Sequence, residues 1–166
     1  MHRPRPMQRL LALPGLGPLI ARASSKARFA DNLKAIFGKQ TPPDPRVVDG
    51  LWTLLRHDDG HLALPRLLRY MAERKKQRAR WVGAMERVAM PMALINGSAD
   101  PVSGAHAAAR WRELLGGDDL HELPGIGHYP QLEAPEAVLE AAVRFWSRHR
   151  LLGPVDPRPS TSITTR

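Results

Sequence analysis

The 166-residue chain contains no cysteine. Disulfides and thiolate-bound metals are therefore excluded, and the redox compartment is left open. No apolar run approaches the ~18 residues of a membrane-spanning helix. The nearest imitation of a targeting segment is at the amino terminus, where Arg3, Arg5 and Arg9 precede Leu10-Leu11-Ala12-Leu13. Pro14, Gly15, Gly17 and Pro18 break that run, so it reads as folded chain rather than a signal, and a cytoplasmic location is expected. The histidines His57, His61, His106, His121 and His149 lack the His-x-x-x-His or carboxylate spacing of a metal site. No glycine pattern follows a strand as dinucleotide binding requires. Neither metal nor cofactor is expected, and no internal repeat is present.

Acidic residues are also few, 16 against 25 basic ones, for a net charge of +9. The imbalance is local. Residues 1–90 hold eighteen basic and seven acidic residues, whereas residues 91–166 hold seven and nine. The excess is densest at Arg74, Lys75, Lys76, Arg78 and Arg80. Such a face could hold phosphates. Without interleaved aromatics or a nucleic-acid module it reads instead as a solvated helix flank, and no nucleic-acid partner is expected.

What is present is mostly helical patterning. Leu16, Leu19, Ile20 and Ala23 form one apolar stripe, and Phe29, Leu33, Ile36 and Phe37 form a second, ended by Gly38. The Thr41–Pro45 stretch breaks the pattern, with Asp44 and Pro45 placed as N-cap and first-turn residues. Val47, Val48, Leu51, Trp52, Leu54 and Leu55 supply the next buried face. Gly60 separates it from a longer helical stretch, with Pro65 early and Leu67, Leu68 and Met71 following. From Pro135, a last helix shows a broad apolar face of Val138, Leu139, Ala142, Val143, Phe145 and Trp146. Beyond Arg150 the Pro-, Ser- and Thr-rich tail is expected to be disordered.

Between these parts lies the stretch that carries chemistry. A short apolar run, Met92 to Ile95, stops in Asn96-Gly97-Ser98-Ala99-Asp100-Pro101. A helix over Ala105 to Leu115 follows, with Trp111, Leu114 and Leu115 on one stripe, and Gly116-Gly117 ends it. A second extended run, Leu120 to Leu123, leads into Pro124-Gly125-Ile126-Gly127-His128. An Asp and a His thus each follow a strand, at the sheet edge where open parallel sheets collect their functional groups. An imidazole there can take and return protons near neutral pH. A carboxylate on its other ring nitrogen fixes the tautomer and stabilises the imidazolium. Alone, Asp100-Pro101 is an ordinary turn and His128 an ordinary surface or core histidine; their matched placement is what marks them.

The run ING-S-AD-PV, then PGIGHYPQLEAPE, then an amphipathic last helix resembles the C-terminal part of the α/β-hydrolase fold. Within it, the chain most resembles the mesoderm-specific transcript homologue group, in the epoxide hydrolase and haloalkane dehalogenase branch. His2-Arg3-Pro4, Arg74-Lys75-Lys76 with Arg80-Trp81-Val82-Gly83-Ala84, and His128 through Glu133 carry that likeness. The resemblance runs from about His2 to His149. It implies an α/β class with an incomplete hydrolase fold: a helical cap over 1–88, the last two parallel strands with flanking helices over 89–150, and a tail over 151–166. Asp100 would orient His128, Tyr129 and Pro130 would wall a pocket, and Leu132 would pack beneath the turn.

A nucleophile elbow is missing. His57-Asp58-Asp59-Gly60 follows an amphipathic helix instead of a buried strand and lacks the preceding glycine. Ser98 lacks the G-x-S-x-G frame and shares the turn of Asp100. The resemblance therefore implies part of a hydrolase, inactive alone, with a mis-called gene start one explanation of Met1. Its parent would work through a covalent intermediate, with Asp as nucleophile for an epoxide or haloalkane and Ser for an ester. A small apolar or ester-like molecule is the expected ligand of that parent. The alternatives are an interaction module associating with a partner or itself through an exposed sheet edge, and a basic helical nucleic-acid binder.

Overall fold

The computed structural model describes residues 6–13, 15–116 and 118–151. From residue 152 on, the expected tail lies outside them. Short helices come first: α1 (Pro6–Leu11), α2 (Leu16–Arg22), α3 (Lys26–Lys34) and α4 (Pro45–Arg56). Ser25 caps α3, its hydroxyl accepting the Arg28 N–H at 3.3 Å. At α4, Asp44 caps as expected, accepting from the Arg46 N–H at 2.7 Å while Pro45 fills a first-turn position that needs no donor. Leu33, near the end of α3, and Phe37, in the bend after it, pack against Val48 of α4, with Phe29, Ile36, Leu51 and Tyr129 around them. This cluster already includes a residue from the far end of the sequence.

Two helical expectations need correction. In α2, Leu16 and Leu19 are exposed, and the contact face is made by Gly17 and Ala21. The reason is close approach: a β-carbon on Gly17 would meet the Leu11 carbonyl and Pro65, so the small residues face inward. The helical stretch expected after Gly60 is present, but Gly60 does not separate it: a 3₁₀ segment over His57–Ala63 runs through that residue into α5 (Leu64–Leu67), α6 (Tyr70–Lys76) and α7 (Arg78–Arg87). Its turn is made by Asp58 and Asp59 in left-handed conformation, φ 47° and 57°, a region that Asp tolerates better than most residues.

The rest alternates strand and helix: β1 (Leu94–Gly97), α8 (Ala105–Leu115), β2 (Leu120–Leu123), α9 (Pro130–Glu133) and α10 (Pro135–Arg148). The strands pair in parallel, Leu94 opposite Leu120 and Gly97 opposite Leu123, with α8 as the crossover a parallel pair requires. β1 begins and ends two residues later than the apolar run suggested, because Asn96 and Gly97 continue the ladder. Gly116, at φ 83°, closes α8 in the left-handed region open to glycine. The last helix is less covered than its apolar breadth suggested. Ala141 is buried, yet Leu139 (61% exposed), Val143 and Trp146 form a stripe open to solvent. Two strands present too little sheet to cover such a face. The class is thus mostly helical with a small parallel α/β unit, an incomplete α/β fold.

Candidate functional site

Asp100 sits in a turn closed by backbone contacts at both ends. Its own N–H donates to the Gly97 carbonyl at 3.2 Å, and Gly104 donates back to the Asp100 carbonyl at 3.0 Å. This folds the side chain inward until the residue is only 6% exposed. Four donors meet the carboxylate. The Val102 N–H reaches Oδ1 at 2.7 Å; the Ser103 N–H and hydroxyl reach Oδ2 at 2.9 and 2.8 Å. His128 Nδ1 reaches Oδ2 at 2.8 Å. Burial pushes the carboxyl pKa up, but the hydrogen bonds from His128, Val102 and Ser103, with the attraction of His128, outweigh it and hold it at about 2. Asp100 is therefore a committed anion at neutral pH.

His128 is carried by the loop after β2. The Ser98 N–H donates to the Leu123 carbonyl at 3.0 Å and the Ala99 N–H to the Ile126 carbonyl at 2.9 Å, lacing the two strand-end loops together. The His128 N–H donates to the Ile36 carbonyl at 2.8 Å, anchoring the loop to the end of the α3 region. A carboxylate can only accept, so Nδ1 carries the proton and Nε2 is left as the basic nitrogen. An imidazole held this way can accept a proton at Nε2 while the carboxylate stabilises the resulting cation. Tyr129 stands edge-on to it, ring centroids 5.1 Å apart, and packs on Phe37 at 5.6 Å. Burial, and then the Asp100 charge, raise the Tyr129 pKa, so it stays a neutral phenol.

A cavity of about 280 Å³ opens between the helices and this pair. Ile20, Phe29, Trp52, Leu55, Val102 and Tyr129 give it a mainly apolar wall; Gln8, Ser24, Ser25, Arg28 and Asn32 add polar groups, and His128 brings the ring of the pair. Tyr129 is there as expected. Leu132 is not beneath the turn; it is 44% exposed on the short α9. The Asp58 and Asp59 turn follows a helix and is open to solvent, and Ser98 serves the strand-end lacing. Ser103 escaped the sequence reading, although Asp followed three residues later by Ser is a recognisable local hydrogen-bonding pattern. Glu133, which accepts four hydrogen bonds around the His128 loop, escaped it too. Among the described residues no group of three His, Cys, Asp or Glu could hold a metal, and no helix is long and apolar enough to cross a membrane.

No protein-family model and no solved structure matches the chain. Curated proteins do. The Mycobacterium tuberculosis protein named "Putative hydrolase LipZ" is 37% identical over 139 residues, 84% of this chain and 48% of LipZ. The mouse mesoderm-specific transcript protein is 36% identical over 147 residues, 87% of this chain and 44% of its own length. Its human homologue is 37% identical over the same span. The chain spans about half the length of the curated relatives it matches. Over that half, the chain is similar to LipZ and to the mesoderm-specific transcript proteins, homologues of an α/β-hydrolase-fold family, at 36–37% identity.

Proposed function

We propose that Asp100 and His128 are the acid and the base of a hydrolase triad whose nucleophile comes from polypeptide outside these 166 residues. The observation that carries this reading is the 2.8 Å contact from His128 Nδ1 to a buried, four-times-bonded carboxylate, with His128 on the wall of a mainly apolar cavity. Residues 1–88 act as the cap, contributing the aromatic wall, and residues 89–150 as the end of the core. The reaction is hydrolysis through a covalent ester intermediate. An Asp nucleophile suits epoxides or haloalkanes and a Ser nucleophile suits esters, with His128 activating the water that releases product. No cofactor enters.

Other surfaces support a second role. β1 pairs only with β2 among the described residues, and Leu139, Val143 and Trp146 lie open on α10. An unpaired edge beside an apolar stripe is suited to a partner polypeptide or a second copy. The test of the proposal is an assay of the purified chain on ester, epoxide and haloalkane substrates. The expected result is no turnover above buffer. Turnover lost in His128→Ala would contradict the claim that the nucleophile lies elsewhere.

A further inference from the structure

Gly38, Gly127 and Gly97 bring three backbones together. A β-carbon on Gly97 would strike the Gly127 carbonyl; one on Gly127, the Ile36 carbonyl; one on Gly38, the Gly125 carbonyl. No side chain fits between these segments, so something must hold them from the side. Glu133 does this. Its Oε2 accepts from the Gly38 N–H at 2.8 Å, the Gly127 N–H at 2.8 Å and the Thr41 hydroxyl at 2.7 Å. Its Oε1 accepts from the Tyr129 N–H at 3.1 Å. The two residues flanking His128 are thus bound to one carboxylate, which also holds the turn between α3 and α4.

We infer that Glu133 is a positioning residue that fixes the His128 ring in line with Asp100, a role that rests on the acid–base reading above. Without this carboxylate the backbone on either side of His128 loses the bonds at Gly127 and Tyr129, and the loop keeps those to the Ile36 and Leu123 carbonyls, the strand-end lacing and the packing of Tyr129. The chemistry calls for an acceptor-only group. Four donors converge, and an ionised carboxylate can take them all. A glutamine has one acceptor oxygen. Placing it on the three donors at Oε2 turns its NH₂ toward the Tyr129 N–H, donor against donor, one residue from His128.

The test is proton and nitrogen NMR of the imidazoles in the 166-residue chain. Nδ1–H of His128, bonded to Asp100, should give a far-downfield proton that Asp100→Asn removes. A signal surviving Asp100→Asn would overturn the pairing and the clamp with it. In Glu133→Gln the signal should be lost or exchange-broadened in the folded population. In Glu133→Ala, formate but not chloride should restore it. A carboxylate that only stabilised the fold would lower the melting temperature and leave the ring signal of folded molecules unchanged, and that result would overturn the inference. If Glu133→Gln does not fold, Thr41→Val decides. It removes one donor alone and should shift the His128 ring resonances; no shift overturns the clamp. Failure of the catalytic reading looks different: hydrolysis by a LipZ chimera carrying this chain that survives His128→Ala, with the NMR effects of Glu133 in the chain intact.

Discussion

Asp100 gathers its donors from two directions, the turn it starts and a loop 28 residues later. This makes its charge part of the stability of the fold. The folded carboxyl pKa is held near 2, below its ordinary value of 3.8, so its contribution is present above the ordinary value and lost as pH falls toward 2. At neutral pH that contribution is about 2 kcal/mol. Asp100→Asn should lose about that much at pH 7 and progressively less toward pH 2, as measured by denaturant unfolding across that range. Both partners were legible in the sequence, because turn residues and a His at two strand ends form a pattern. Glu133 was not. Its value lies in which N–H groups surround it, and those of Gly38 and Gly127 are 89 residues apart in number but adjacent in space.

At the level of elements, an aromatic contact joins α3 and α4 to the site, beside the His128–Ile36 bond and the Glu133 carboxylate. Phe37 closes the Leu33–Val48 core and stacks on Tyr129, which in turn stands against His128. Phe37→Ala should destabilise the fold by about 3 kcal/mol, measurable by thermal or denaturant unfolding, and should loosen the Tyr129 ring. Element type was readable wherever a cap or a period announced it: Asp44 before Pro45, the α8 stripe, the two apolar runs. Boundaries and facing were read less well. Leu16 and Leu19 look like a buried stripe, but close approach of α1 and Pro65 selects Gly17 and Ala21 instead. The break of the Leu64–Arg87 stretch into three helices left no signal in residue type, since Arg69 and Gln77 are ordinary helix formers.

The molecule as a whole has a small core for its size. Buried apolar residues are few among those described, and large ones such as Leu139, Trp146, Trp81 and Met90 remain open to solvent. The α/β unit has two strands, and its relatives continue for about as long again as the matched region. The fold class could be read from the sequence through the strand–helix–strand order; the uncovered faces could not, because apolar pattern marks what can be buried and not what buries it. These features meet in the central claim that the Asp100–His128 pair serves a nucleophile from outside the chain. The measurement that tests it most directly is the hydrolytic activity of a chimera in which the matched 139 residues of LipZ are replaced by those of this chain, with LipZ itself measured beside it. The account predicts an active chimera that loses activity by a factor of about 10⁴ in Asp100→Asn and about 10⁶ in His128→Ala. A chimera whose turnover is indifferent to His128→Ala, or one inactive where LipZ is active, would contradict it.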